Sequence, residues 1–178
     1  MIQLYTPRLA LREVNAADEG ALHEISRDPE PRRYEGLPFT PQETRGLLDH
    51  ILASAAKDPR VFYAFSITFP TQERLEGWIK LEMTHLPIRE YEIGWVVRRE
   101  LWGNGYASEA ARAVMEFAFT RLHAHRLIAF CHEGNVASYR VMEKLGMQRE
   151  GLSRETRWIK DAWTNEYLYA ILEREYSG

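Results

Sequence analysis

The run Glu90-Tyr91-Glu92-Ile93-Gly94-Trp95-Val96-Val97 leads without a break into Arg98-Arg99-Glu100-Leu101-Trp102-Gly103-Asn104-Gly105-Tyr106-Ala107. The first part reads as a strand, the second as a glycine-bearing loop that opens a helix with Ala107, Ala110, Ala111, Val114 and Ala118 on one face. The first turn of a helix carries unpaired N–H groups and a partial positive charge, so it can hold a phosphate or pyrophosphate. Gly103 and Gly105 let the backbone approach such an anion with no side chain in the way, and small Ala107 and Ser108 keep the first turn open. The stretch departs from two other phosphate-binding templates. No lysine follows at P-loop spacing, and Ser108 and Ile128 occupy positions where a dinucleotide fingerprint needs a small residue and an acid.

On the N-terminal side, Val61 to Phe69 and Gly77 to Leu86 also read as strands. Their links, Pro70 to Glu76 and Pro87 to Arg89, are short enough for antiparallel hairpins, so Val61 to Val97 is expected to be a three-stranded meander. Earlier still, Arg8 to Val14 alternates as a strand, and Asn15 can cap a short helix with Leu22 and Ile25 inside. A proline-rich loop carrying Arg32, Arg33 and Tyr34 follows. Thr40-Pro41-Gln42-Glu43 then starts a second helix with a capping box and an apolar stripe of Leu47, Leu48, Ile51, Leu52 and Ala55. On the C-terminal side, Leu127 to Cys131 reads as a buried strand and Val136 to Leu145 as a helix ended by Gly146. Arg149 to Lys160 and Trp163 to Leu172 form a hairpin about Asp161. The order predicts a mixed α/β (α+β) chain, with residues 1–178 as a single domain.

Composition narrows the function. The 178 residues suit one core, and 45% hydrophobic with 28% charged residues is an ordinary globular balance. A net charge of -3 without a basic stripe argues against direct nucleic-acid binding. No apolar stretch spans a bilayer and no signal-peptide core precedes the fold, so no membrane partner is expected. One cysteine, Cys131, excludes an internal disulfide and suits a reducing compartment. A cytoplasmic monomer or homodimer without metal is the expectation. His123-Ala124-His125 closes a helix with no carboxylate cluster to complete a metal site, and Cys131 reads as a buried structural thiol rather than an acyl carrier. Trp78, Trp95, Trp102, Trp158 and Trp163 read mostly as core or pocket wall.

A second constellation, Asn135-Val136-Ala137-Ser138-Tyr139-Arg140-Val141-Met142-Glu143-Lys144-Leu145-Gly146-Met147, is by itself a capped helix with Val141, Met142 and Leu145 inside. Joined to the glycine loop, it places two helix openings beside neighbouring strand ends, a cleft suited to a long, phosphate-tailed cofactor. Leu101 to Ala110 resembles the pyrophosphate loop of GNAT acetyltransferases. The form Trp-Gly-x-Gly-Tyr-Ala-Ser-Glu-Ala is similar to that of the Rim-type ribosomal-protein N-terminal acetyltransferases. Asn135 to Gly146, Glu150-Gly151 and the opening Thr6-Pro7-Arg8-Leu9 with Leu11-Arg12 resemble the same branch nearly end to end.

The resemblance implies the GNAT fold, with four helices flanking a mixed sheet whose fourth and fifth strands splay to admit pantetheine, and acetyl-CoA as cosubstrate. It implies that the backbone of Trp95, Val96 and Val97 pairs with pantetheine, and that an N–H there, Val97's among them, polarises the thioester. Arg98 is counted among the cofactor-binding residues, and the amides of Trp102, Gly103, Asn104, Gly105, Tyr106 and Ala107 would hold the pyrophosphate. Asn135 would bond pantetheine, and Arg140 or Lys144 would meet the 3′-phosphate unless they simply face solvent. The implied acceptor is a primary amine, a protein or peptide N-terminus such as that of a ribosomal protein. A small-molecule amine, or acyl-CoA sensing without turnover, are the alternatives. Acidic acceptors would suit Arg32 and Arg33.

Glu92 matches the strand glutamate that acts as base in some GNAT enzymes, with Glu82 or a water in reserve. Ser138 matches the serine that donates to the leaving sulfur. The pattern is broken at Met142, where many GNAT enzymes have tyrosine, at Arg157 in place of a glutamate, at Asn165 in place of aspartate and at Met147 in place of phenylalanine.

Overall fold

The computed structural model describes residues 1–176. Its centre is one eight-stranded sheet in the order β1-β2-β3-β4-β5-β6-β8-β7. The strands are β1 (Gln3–Tyr5), β2 (Ala10–Glu13), β3 (Phe62–Phe69), β4 (Gln72–His85), β5 (Glu90–Val97), β6 (Arg126–His132), β7 (Gln148–Ile159) and β8 (Ala162–Leu172). All pairings are antiparallel except β5 with β6, which is parallel because α4 (Tyr106–Arg121) carries the chain back between them. The other helices are α1 (Glu19–Ser26), the one-turn α2 (Pro29–Arg32), α3 (Pro41–Ala55) and α5 (Val136–Lys144).

The capping chemistry sets several boundaries. Thr40 and Glu43 exchange capping-box hydrogen bonds at the start of α3 with Pro41 in its first turn. Asn15 and Asp18 make a second box, on a 3-10 turn that leads into α1. Asp28 caps α2, a turn of helix inside the segment expected to be a proline-rich loop. Gly146, with φ at +81°, ends α5 in the left-handed conformation glycine favours.

Each face of the sheet has its own core. On one face α4 lays Ala110, Ala111, Val114, Met115 and Ala118 against Phe65, Ile67, Ile79, Leu81, Tyr91, Ile93, Leu127 and Ala129. On the other, Leu22 and Ile25 of α1 and Leu48 and Ile51 of α3 meet Phe62, Ala64 and Leu75. Leu47 and Leu52 of the expected α3 stripe are half-buried and Ala55 is exposed, while Ser54 is buried in its stead.

Other expectations need correcting, among them Trp158 and Trp163 as core or pocket wall, since both are exposed on the β7–β8 hairpin. The link Pro70 to Glu76 is a tight turn, and β4 begins at Gln72 paired with Phe69. Because β1 precedes the first expected strand, the strands counted as fourth and fifth are β5 and β6. His123 and His125 lie beyond the last residue of α4, Arg121, with His123 in a left-handed turn at φ 52°.

Candidate active site

Strands β5 and β6 pair over only Glu90–Glu92 and Arg126–Ile128. From there they separate, so the C-terminal half of each has an edge that no strand covers among the described residues. β5 remains paired to β4 on its other side through Gly77↔Val97, and Arg98 N donates to Glu76 O at 2.9 Å. In an antiparallel ladder, hydrogen-bonded and non-hydrogen-bonded pairs alternate. Arg98 bonds toward β4, so Val97 and Trp95 turn their N–H and C=O toward the gap. The Val97 carbonyl already receives the Trp102 indole N–H at 2.7 Å, whereas the ladder supplies no partner for the Val97 N–H. An extended amide chain could add to this edge as a further strand would. Trp102 on the loop after β5, Phe130 on β6 and Val136 at the start of α5 are exposed apolar residues.

The loop after β5 has the conformation its glycines predict. Gly103 and Gly105 have φ of +79° and +80°, a region costly for residues with a Cβ. A Cβ built on Gly103 meets nothing within 4 Å, so it would project into open space rather than into protein. Asn104 Nδ2 donates to the Leu101 and Trp102 carbonyls, folding the loop on itself ahead of the α4 N-terminus. The positive-φ glycines, the α4 N-terminus and the free strand edge fit a pantetheine arm ending in a pyrophosphate.

On α5, the Asn135 side-chain oxygen is used to cap the helix, accepting from Ser138 N at 3.2 Å. Its amide NH₂ is what remains for a ligand. Ser138 is half-buried in the first turn, and Arg140 and Lys144 are exposed; Arg112 donates to the Lys144 carbonyl, and among the described residues neither Arg140 nor Lys144 has a side-chain ion pair. Met142 is 1% exposed inside the core, so its position offers neither a proton nor access. Burial pushes the Cys131 thiol up to about 11, with the Glu166 charge adding and the Ser138 side chain opposing. A thiol held neutral and buried is a poor acyl carrier.

Ser138→Ala is expected to lower kcat by about tenfold at every pH, the scale of a lost hydrogen bond to a charged atom, with acetyl-CoA affinity nearly intact. Steady-state rates across pH with a calorimetric Kd check this. An unchanged kcat would remove Ser138 from the chemistry.

The opposite face of the sheet holds the carboxylates. Glu82, Glu92 and Ile128 lie in one cross-strand row and therefore point to the same face as Phe62, which pairs with Glu82. Lys80 Nζ stands 2.7 Å from Glu92 Oε1 and 3.8 Å from Glu82 Oε2. Glu92 is the more enclosed, with its side chain 24% exposed against 43% for Glu82. Nothing local in the sequence marks Lys80. The signal was there in the hairpin register, which sets Lys80 opposite Gly94, beside Glu92. Arg157, standing where a glutamate is usual, ion-pairs with Glu166 at 2.9 Å, and Asn165 donates to Glu133 at 3.0 Å.

The segment around α2 reaches the end of β6, where the Tyr34 ring packs at a 37° tilt against His132 with centroids 5.0 Å apart. Gly134 N–H donates to His132 Nδ1, leaving the ring's other nitrogen as its donor. Arg32 and Arg33 are spent on Glu35 and Glu30 within that segment, which weakens the expectation that they receive an acidic acceptor.

Among the described residues no group of three His, Cys, Asp or Glu side chains is placed to hold a metal, and no helix is long and apolar enough to cross a membrane. A family model described as an acetyltransferase (GNAT) domain matches residues 8–148. The uncharacterised N-acetyltransferase YnaD of Bacillus subtilis (strain 168) is 34% identical over 178 residues, 99% of this chain and 100% of its own. The crystal structure of a GNAT-family acetyltransferase from Bacillus anthracis has a TM-score of 0.84 and 35% identity, covering 98% of this chain and 100% of that one. Two remoter structures share the fold. RimL, a ribosomal L7/L12 α-N-protein acetyltransferase in complex with coenzyme A, has TM-score 0.84 and 18% identity over 96% of this chain and 98% of its own. A Vibrio cholerae spermidine N-acetyltransferase in complex with CoA and spermine has TM-score 0.83 and 19% identity over the same shares.

Proposed function

The chain belongs to the GNAT acetyltransferases, and from that premise we propose that it moves the acetyl group of acetyl-CoA directly onto a peptide or protein N-terminal α-amine. In the proposed ternary complex the pantetheine arm lies along the free edge at Trp95 and Val97, and the loop from Arg98 to Ala107 holds the pyrophosphate. The amine arrives from the face that carries Glu92. Its nitrogen attacks the thioester carbonyl carbon, the new C–N bond forms and the C–S bond breaks, and the sulfur leaves with the electron pair. The Val97 N–H would stabilise the carbonyl oxygen as charge builds on it. Glu92, or a water it orders, takes the proton lost by nitrogen, and Ser138 donates a hydrogen bond to the departing sulfur. A serine is too weak an acid to protonate that sulfur outright.

The observation that carries the choice of acceptor is the Glu92–Lys80 ion pair. One carboxylate oxygen of the candidate base is already occupied by an ammonium, so the enzyme has little to offer an amine that arrives fully charged. A peptide α-amine, with a pKa of about 7.7–8.0, is roughly one-tenth neutral at pH 7, whereas for a lysine side chain near 10.4 the neutral fraction is below about one-thousandth. The Rim-like run from Trp102 to Ala110 supports the same class. A small polycationic amine is the second reading, favoured by Glu82 and Glu92 lying side by side on the acceptor face.

A free-N-terminal peptide is expected to be acetylated at least about a hundredfold faster than its Nα-blocked, lysine-bearing counterpart at pH 7, following the neutral fractions. Equal rates on the two peptides would overturn the α-amine assignment. Turnover of a polyamine exceeding that of every peptide in an array would replace it with the second reading.

A further inference from the structure

The segment Thr6-Pro7-Arg8, between β1 and β2, reaches across to the opening of α4. Thr6 Oγ1 donates to Glu109 Oε1 at 2.6 Å, and the Arg8 backbone N–H donates to the same oxygen at 3.0 Å. The Arg8 guanidinium takes the other oxygen, with Nε and Nη2 each 2.6 Å from Glu109 Oε2. Its remaining terminal nitrogen, Nη1, donates to the Asn104 carbonyl at 3.0 Å. The guanidinium carbon lies 4.6 Å from the centre of the Tyr106 ring, and a Cβ at Gly105 would come 3.6 Å from Nη2. Burial alone would raise the Glu109 carboxyl, but the bonds from Thr6 and Arg8 outweigh it and hold the group below the usual carboxylate range.

Arg8 therefore links an ionised side chain inside the first turn of α4 to a backbone carbonyl between the two positive-φ glycines. The geometry of the peptide unit gives that link a consequence. The unit joining Asn104 to Gly105 is planar and trans, so its C=O and N–H point in opposite directions. Holding the Asn104 carbonyl toward Arg8 turns the Gly105 N–H away from Arg8. Gly105 O in turn accepts from Glu109 N at 3.0 Å, so the same peptide stretch is pinned at its next carbonyl. Thr6, Arg8 and Glu109 form a clamp that sets the direction of an N–H in the loop.

We propose that Arg8, anchored by Glu109 and Thr6, is a positioning residue for acetyl-CoA: it pre-aims the Gly105 N–H at the pyrophosphate without itself touching the cosubstrate. This rests on the reading of Arg98 to Ala107 as the pyrophosphate loop. A loop whose amide is already aimed loses less freedom on binding, so its benefit falls on affinity. Lysine cannot replace the fork, because a single ammonium does not reproduce a planar group bonded to a carboxylate and a carbonyl at once.

The test measures acetyl-CoA and 3′-dephospho-CoA binding by calorimetry, together with kcat and KM, for wild type, Arg8→Ala, Arg8→Lys, Thr6→Val, Glu109→Gln and Gly105→Val. Arg8→Ala is expected to raise Kd and KM for acetyl-CoA about tenfold or more, on the scale of a lost charge-assisted hydrogen bond, with kcat at saturation within about twofold. Arg8→Lys should recover only part of that loss. Thr6→Val, which leaves Arg8 in place, should weaken binding in the same direction by less and guards against misfolding in the larger changes. Combining Arg8→Ala with Glu109→Gln should cost no more than the worse single change, because the pair acts as one unit.

Arg8→Ala binding as tightly as wild type while Gly105→Val fails to bind would overturn the clamp and leave the loop reading standing. Unchanged binding in both would sink the loop reading itself. A loss with acetyl-CoA that vanishes with 3′-dephospho-CoA would make Arg8 a direct ligand of the 3′-phosphate and equally overturn the proposal.

Discussion

Glu92→Gln is expected to lower kcat/KM for a peptide α-amine by about 10²- to 10⁴-fold near pH 6, the range for a lost general base. The deficit should shrink as pH rises through the amine's own pKa of about 7.7–8.0, because an amine that deprotonates by itself needs no base. Position makes Glu92 the candidate base: it closes the three-residue pairing of β5 with β6, where the gap begins, and it is more enclosed than Glu82. Lys80, at 2.7 Å, keeps one of its oxygens engaged, so Gln at this site also frees an ammonium and changes the local charge by one. The shape of the pH–rate profile separates the two effects. A deficit that is the same at all pH values would reduce Glu92 to positioning the acceptor and move the base to Glu82 or an ordered water.

Gly103→Val and Gly105→Val should each abolish the thermal stabilisation that acetyl-CoA gives the wild-type protein. At φ of +79° and +80°, a β-branched residue either strains the loop by about 1–2 kcal/mol or swings it out of shape. The Gly103 substitution adds a second effect, since its Cβ would stand in open space on the loop, where a phosphate would have to approach. Differential scanning fluorimetry with and without acetyl-CoA reads both. The apo variants should still unfold cooperatively, because neither glycine packs into the core clusters. An undiminished shift in both variants would mean that the pyrophosphate lies elsewhere.

Much of this architecture could be read from the chain because its signals are local. Glu90–Val97 has the bounds its alternation predicts, and the α3 start follows from a complete capping box within four residues. The joined motifs at Trp102 to Ala110 and Asn135 to Gly146 do lie on the two helix openings that follow the C-terminal ends of β5 and β6, on α4 and α5. What escaped detection is either too short for periodicity or too distant in sequence. β1 has three residues, and α2 is one turn disguised by two prolines. Polar Gln72, Glu73 and Arg74 gave no alternation to mark the start of β4, although backbone pairing extends it that far. Lys80 beside Glu92 depends on strand register, and the Arg8–Glu109 clamp joins residues 101 positions apart. Side-chain partners of that kind emerge only when the sheet closes. Thus the loop that would hold acetyl-CoA and the candidate base Glu92 were legible, while their partners, the Arg8–Glu109 link and Lys80, were not.

Initial rates with acetyl-CoA and a free-N-terminal peptide varied together test direct transfer in a ternary complex most sharply. Double-reciprocal lines are predicted to intersect, with Cys131→Ala retaining the same pattern and rate, since that thiol is buried and held protonated by its surroundings. Parallel lines, lost in Cys131→Ala, would contradict direct attack and show that the acetyl group passes through the enzyme.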